Sequence, residues 1–513
     1  MPMGLLALLR IVLSSSESTY HDPISTRGCP MTTSITLPLW VVLLLGLLAL
    51  WAILDRLLMP SVRWFVRRST NRIIDELNVR LQIGIQPFQR TKRQVLIDRL
   101  MYDPKVQAAA DAYAQAHQVP HDVVMVTVRR YAQEIVPAFN AYIYFRVGYW
   151  LSRKVAQSLY RVRLGYADQA GLSAIAPGST IVFVMNHRSN MDYILVAYLA
   201  ADQTALSYAV GEWARIWPLQ TLIRAMGAYF VRRNSRDDLY RRVLERYVGM
   251  ATAGGVPQAF YPEGGLSRDG ALQKPKLGLL DYMLRSFDAE DGRDLVFIPV
   301  GINYDRTLED RTLLLSTNSQ NQRSQRTGHT LNTALRFLLH HLRLMAQNRW
   351  YRFGYACVIF GTPLSLRTYV KQHAIDFRAL SGEERFTRVE ALGQELMQAV
   401  GSVVPVLPVS LVATVFVHTS RPLSELELKA QVYPLIQTLE AKGAHVYIPR
   451  RDQDYALTVG LRALTLRHLV DGDQGLYQAR AEELPVLHYY ANAISHLLPQ
   501  PLSASEPVGS QEP

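Results

Sequence analysis

A histidine and an aspartate stand five positions apart in Asn186-His-Arg-Ser-Asn-Met-Asp-Tyr193. A histidine takes up a proton near neutral pH, and it does so best when a carboxylate holds its other ring nitrogen. His187 and Asp192 are therefore read as a base and its orienting acid, the catalytic pair of a triad without its serine. The proton would come from a substrate hydroxyl. The plain alternative is a His–Asp pair closing an ordinary turn, because two residue types at one spacing recur by chance.

The surrounding residues would position this pair. Ser179–Met185 is an apolar β-type run that breaks into the polar turn. A helical apolar pattern then begins with Ile194, Leu195, Ala197, Tyr198 and Leu199. The order is strand, turn, helix, with His187 in the turn and Asp192 where a helix N-terminus favours negative charge.

Three further strand ends carry residues that an apolar core does not need. Gly227-Ala-Tyr-Phe-Val-Arg-Arg-Asn234 brings Arg232 and Arg233 out of a strand, and arginine presents a fixed, charged fork suited to phosphate. Phe260-Tyr-Pro-Glu-Gly-Gly-Leu-Ser-Arg-Asp-Gly270 sets Glu263 before Gly264 and Gly265, then adds Ser267 and Arg268, with Lys274 and Lys276 beyond. Glycines let backbone amides approach an anion, and the carboxylate would bind hydroxyls or orient the arginines. Val296-Phe-Ile-Pro-Val-Gly-Ile-Asn-Tyr-Asp305 carries Pro299, which marks an edge or a bulge in an otherwise buried strand. The candidate strands are 179–185, 205–210, 227–232, 256–261, 295–302 and 355–361, with helices between them at 237–252 and 328–347. The region 168–404 is thus an α/β domain. Asp305–Thr327 reads as a mobile loop, and His340 and His341 as structural or solvent-facing residues.

The flanks are different in kind. Ile35–Leu54 is a run of twenty residues without charge. At about 1.5 Å per residue it matches a bilayer's hydrocarbon, roughly 30 Å. Five arginines follow closely (56, 63, 67, 68 and 72) and two precede it, Arg10 and Arg27. The expectation is a single transmembrane helix over 35–55 with the rest of the chain on the cytoplasmic side. Residues 1–34 are expected to be poorly ordered, and Met31 to be the true start. The region 56–167 is expected to be helical and membrane-proximal. Its aromatic and basic residues, from Tyr142 through Trp150 to Arg163, suit a membrane interface or nucleic acid. Residues 405–498 form a small helical unit, with an apolar run at Val406–Val417 and amphipathic helices near 424–441 and 476–498. The tail 499–513 is read as disordered.

Composition narrows the classes. In 513 residues the hydrophobic share is 49%, which excludes a disordered chain, and the net charge of +12 points to an anionic partner. Cys29 and Cys357 alone make neither a disulfide framework nor a cysteine zinc site, and a reducing compartment fits. There is no G-x-S-x-G elbow and no G-x4-G-K-[ST] loop, which argues against a hydrolase and a P-loop nucleotide site.

The four motifs, in this order and spacing, resemble the glycerolipid acyltransferase family: Asn-His-Arg-Ser-Asn-Met-Asp, Gly-Ala-Tyr-Phe-Val-Arg-Arg, Tyr-Pro-Glu-Gly-Gly-Leu-Ser-Arg and Phe-Ile-Pro-Val. The form His-Arg-Ser-x-Met-Asp-Tyr, the double arginine and Pro485-Val-Leu-His-Tyr-Tyr-Ala-Asn-Ala-Ile-Ser-His-Leu-Leu look most like its glycerol-3-phosphate branch. The resemblance spans roughly 130–498. It implies a central mixed sheet flanked by helices. It also implies acyl transfer from acyl-CoA or acyl-carrier protein to the sn-1 hydroxyl of glycerol 3-phosphate, beside membrane lipid. His187 would be the base and Asp192 its orienter. Arg233, with Arg232 and Arg268, would hold phosphate, and Glu263, Gly264, Gly265 and Ser267 would shape the acceptor site. No metal, other cofactor or nucleic acid is called for. Leu266 stands where the family usually has arginine, and the chain before the acyltransferase domain is shorter than in long bacterial members. Two other readings stay open: a 1-acylglycerol-3-phosphate acyltransferase, and a non-enzymatic basic protein binding membrane or nucleic acid.

Overall fold

The computed structural model describes residues 84–498, apart from 201–203, 212–218, 233, 234, 286, 291 and 319–352, together with Val41, Val42, Leu44 and Gly46, which are helical. Contacts divide the chain into two compact units, Met1–Asp75 and Glu76–Pro513. The rest of the apolar run Ile35–Leu54 lies outside the described residues, as do Met31, Arg233, His340, His341, the 328–347 helix and the 499–513 tail. Among the described residues no helix is long and apolar enough to cross a membrane.

In the second unit the strands are β1 Arg161–Tyr166, β2 Thr180–Met185, β3 Ser207–Gly211, β4 Tyr229–Val231, β5 Gln258–Phe260, β6 Leu295–Tyr304, β7 Tyr355–Phe360 and β8 Leu364–Ser365. They form one mixed sheet in the order β1-β7-β6-β2-β5-β3-β4, with β8 also on β6. From β6 to β4 the neighbours are parallel, so their carboxyl ends share one edge. β7 runs against β6, and β1 runs with β7.

The middle strands read as unbroken apolar runs because both faces are covered, as parallel strands require. Every residue of β2 and β6 is buried. Their side chains alternate between two cores. Val182, Val184 and Phe297 pack with α1 Arg93–Met101, α2 Pro104–His117, α3 His121–Ile135, α6 Asp238–Ala253 and α7 Gly278–Leu284. Ile181, Phe183, Met185, Val296, Ile298 and Val300 pack with α4 Tyr149–Leu159 and α5 Met191–Ala200.

Several local expectations are corrected. β1 lies within 56–167, a stretch expected to be helical. It is an edge strand whose Arg161 and Arg163 leave it largely exposed, so it carries no apolar run to announce it. Pro299 marks neither an edge nor a bulge. β6 is central, and β8 pairs with 296–297 while β7 pairs with 300–304. Pro299 falls in the gap between them, where its carbonyl accepts the Gly361 N–H at 2.8 Å and a missing donor leaves nothing unpaired. The supposed mobile loop from Asp305 contains α8 Asp310–Asn318.

After α9 Gly382–Ser402 the chain builds its last unit around α10 Pro408–His418. Residues 408–416 of α10 are all buried, which is why the run showed no amphipathic period. Around it lie α11 Glu425–Ala441, α12 Gln453–Leu466 and α13 Leu484–Ala491. A three-stranded sheet of β9 Leu423–Ser424, β10 Val470–Asp473 and β11 Leu476–Ala479 completes the unit, so 476–498 is not one helix.

Candidate active site

The site is built at the carboxyl ends of β2, β5 and β6, the edge where α/β sheets present ligand-binding loops. Beyond Met185, the Asn186 side chain donates to the Ile302 carbonyl at 2.9 Å and accepts the Ile302 N–H at 2.8 Å. It thus imitates one more rung of the β2–β6 ladder and fixes the start of the turn.

His187 follows, buried. Its Nδ1–H donates to Asp192 Oδ2 at 2.9 Å, the tautomer that leaves Nε2 with a free lone pair. Nε2 has no hydrogen-bond partner among the described residues. The imidazole stacks on Tyr261, with centroids 4.1 Å apart, and meets the edge of Tyr193 at 5.4 Å. Two aromatic walls therefore fix the ring plane.

Asp192 lies in the first turn of α5 and is fully buried. Besides the imidazole, its Oδ2 accepts the amides of Arg188 at 2.7 Å and Ser189 at 3.0 Å. Its Oδ1 accepts the Tyr304 hydroxyl at 2.6 Å. Four donors thus surround one carboxylate, satisfying both oxygens and leaving little rotational freedom.

Glu263 comes from the loop after β5. Its Oε1 accepts the His187 amide at 2.9 Å, and its Oε2 has no partner among the described residues. Burial pushes its carboxyl up to about 8, only partly opposed by that amide and by the Arg188 charge. The loop bends at Gly264, whose φ of +66° suits glycine, while Gly265 is half-buried beside it. The Ser267 amide donates to the His187 carbonyl at 3.0 Å, and its hydroxyl to the Ala271 carbonyl at 2.7 Å. Ser267 thus braces the loop. Arg268, Lys274 and Lys276 are exposed.

The arginines part company. Arg232 lies at the end of β4 and grips Glu134 with two hydrogen bonds, 2.9 and 2.6 Å. Its guanidinium sits between the rings of Tyr131 and Tyr240, 4.9 and 4.8 Å from their centroids. This fork already has its carboxylate, so the structure ties Arg232 to α3 and not to the His187 group. Arg188 is buried next to the base. It donates to the Gly270 carbonyl and lies 4.8 Å over the Tyr489 ring.

Asn186, Tyr261, Tyr304 and Glu309, whose contacts hold the turn, are not singled out in the sequence, although Asn186 and Tyr261 open the first and third motifs and Tyr304 lies in the fourth strand-end stretch. Tyr304 and Glu309 reach the turn from more than a hundred residues away.

A buried base with a free nitrogen, an acid fixed by four donors and a neighbouring buried carboxyl group are the parts that general-base activation of a hydroxyl requires. Residues 168–303 match the family model described as acyltransferase, and residues 338–502 match the glycerol-3-phosphate acyltransferase C-terminal region. The glycerol-3-phosphate acyltransferase of Pseudomonas putida (strain W619) is 27% identical over 429 residues, covering 80% of this chain and 49% of its own. That of Actinobacillus succinogenes is 26% identical over 425 residues, covering 80% and 50%. The chain spans about half the length of these curated relatives. A solved structure, the 1-acyl-sn-glycerophosphate acyltransferase of Thermotoga maritima, shows 15% identity and a TM-score of 0.28, covering 50% of this chain and 78% of that one. Over the two matched regions the chain is similar to the glycerolipid acyltransferases, and its curated matches are bacterial glycerol-3-phosphate acyltransferases.

Proposed function

We propose that the protein transfers a fatty acyl group from an acyl thioester, acyl-CoA or acyl-carrier protein, to the sn-1 hydroxyl of glycerol 3-phosphate, a step of phospholipid biosynthesis. The observation that carries this is the free, buried Nε2 of His187 backed by Asp192. Nε2 takes the hydroxyl proton as the oxygen attacks the thioester carbonyl, and Asp192 stabilises the imidazolium that forms. The C–S bond then breaks, the thiolate leaves with the proton from His187, and 1-acylglycerol 3-phosphate results. No acyl-enzyme is needed.

Arg233 is the arginine we assign to the acceptor phosphate, with Arg268 as its second cation. We leave Arg232 out of this assignment because its guanidinium already pairs with Glu134. Glu263 fixes the backbone at His187 and offers its unpartnered oxygen to an acceptor hydroxyl.

For localisation, we propose a single span over 35–55 in the inner membrane, with the catalytic domain on the cytoplasmic side. The support is the sequence's arginine asymmetry together with an exposed face carrying Tyr142, Val147, Trp150 and Leu151 beside Arg146, Arg153 and Lys154.

The test offers purified protein glycerol 3-phosphate and 1-acylglycerol 3-phosphate separately, each with an acyl thioester. Acylation of the first supports the reading. Acylation of the second alone moves the protein to the neighbouring branch of the family.

A further inference from the structure

The turn that carries the base has no regular backbone ladder of its own. Its amides are satisfied one by one by side chains: His187 by Glu263, Arg188 and Ser189 by Asp192, Met191 by the Ser189 hydroxyl at 3.1 Å. The remaining amide, Asn190, donates to Glu309 at 3.2 Å. Glu309 also accepts the Asn190 side-chain amide at 3.1 Å on the same oxygen, and the Ser189 hydroxyl at 2.7 Å on the other. One carboxylate therefore holds the middle of the turn, between the base and its orienting acid, with both oxygens engaged.

Glu309 is itself held from the C-terminal unit. It immediately precedes α8, whose Leu313 and Leu314 pack on that unit's core. On either side of it, the Thr307 amide donates to the Tyr490 hydroxyl at 3.2 Å, and that hydroxyl donates to Asp310 at 2.6 Å. Arg467 donates to the same hydroxyl at 2.8 Å and pairs with Asp310. Tyr490 and Arg467 belong to the C-terminal unit, so the support of the turn is continuous: Arg467 and Tyr490, then the 307–310 segment, then Glu309, then Ser189 and Asn190.

We infer that Glu309 is a positioning residue through which the C-terminal unit holds the His187–Asp192 turn in its reactive geometry. The inference rests on the acyl-transfer reading for its kinetic consequence, but not for its structural one. Glutamine at 309 would set a donor against the Ser189 hydroxyl and break the pattern without removing bulk. Phenylalanine at 490 would keep the ring and delete the hub hydroxyl.

The experiment compares full-length wild type, Glu309→Gln, Glu309→Asp, Tyr490→Phe and the Glu309→Gln/Tyr490→Phe double variant. Because a misplaced reacting group costs up to about 100-fold, Glu309→Gln should lose roughly 10- to 100-fold in kcat, with KM for glycerol 3-phosphate held within about twofold. Tyr490→Phe should lose less, and the double variant should lose less than the product of the two single effects. Glu309→Asp should recover part of the loss. In protein labelled with ¹⁵N-histidine, the His187 Nδ1 proton should exchange slowly in wild type and lose that protection in Glu309→Gln. An unchanged kcat with retained protection would overturn the inference, as would purely multiplicative effects in the double variant. If wild type fails to acylate glycerol 3-phosphate, the functional reading falls, and the Nδ1 proton alone decides the role of Glu309.

Discussion

His187 is useful only because its two nitrogens are unequal. Asp192 takes the Nδ1 proton, and Tyr304 with two backbone amides keeps Asp192 from turning. Replacing Asp192 by Asn would favour the other tautomer and occupy the nitrogen that must act as base. Acyl transfer should fall by about 10²–10⁴-fold while the protein stays folded, as steady-state kinetics and circular dichroism would report. Glu263 sets a different kind of cost. Its carboxyl is raised from 4.5 to about 8, so the native state binds this proton more tightly than the unfolded chain. Its contribution is fully present below pH 4.5 and is lost as pH rises through about 8. Asp305, lifted by burial to about 6, adds a loss of the same sign at lower pH. Glu263→Gln keeps an acceptor for the His187 amide and removes the titration. Thermal unfolding of that variant should show a flatter decline in stability between pH 5 and pH 8 than wild type, about the window of the Glu263 shift.

At the scale of elements, the site is a set of strand ends, and the arginines show how much one position matters. Arg232 closes an ion pair with Glu134 between two tyrosine rings. Arg232→Gln should cost about 1–2 kcal/mol of stability, discounted for its partial exposure, and leave the KM for glycerol 3-phosphate within about twofold. Arg233→Gln should do the reverse, and the pair of variants measured side by side separates the two roles. The loop after β5 meets the C-terminal helix at Gly270. There φ is +86°, and an added Cβ would stand 1.9 Å from the Tyr489 carbonyl. Gly270→Ala should destabilise by at least about 1–3 kcal/mol in denaturant unfolding, because neither side of that contact can give. The strand–turn–helix around His187 was legible because an apolar run, a polar break and a helical period sit next to each other in sequence. Tyr304 and Glu309 were not, because they reach the turn across 112 and 120 positions. Glu309 also sits in a polar stretch that reads as a surface loop. The sequence likewise gave no hint that Arg232 would be taken by Glu134, since that contact spans 98 positions.

Across the whole second unit, the C-terminal part is joined to the sheet through buried polar contacts along 303–310. Asn303 donates to the Pro405 carbonyl at 2.8 Å. Asp305 accepts the Val409 amide at 3.2 Å, near the start of α10, and the Tyr355 amide at 2.8 Å. A chain ending at residue 404 would take away the partners of the Asn303 side-chain amide and of Asp305 Oδ1 and expose the apolar face beside them, at about 1–3 kcal/mol for each orphaned group. Such a truncation should aggregate or elute as an expanded species on size exclusion and show no acyl transfer. The α/β domain was readable because buried parallel strands are unbroken apolar runs. The C-terminal unit was read less well. Its hairpin, Val470–Asp473 and Leu476–Ala479, turns on Gln474 and Gly475, both with positive φ. The X-Gly pair is a hairpin signal, but its flanking strands are short and mostly exposed and lack the alternation that would announce them.

The most direct measurement is product analysis of purified wild type and His187→Ala, each given glycerol 3-phosphate and a panel of acyl-CoA and acyl-carrier-protein thioesters. The account predicts that wild type makes 1-acylglycerol 3-phosphate from at least one donor, and that folded His187→Ala makes at least about 10²–10⁴-fold less. Equal turnover by the two proteins, or no acylation of glycerol 3-phosphate from any donor, would contradict it.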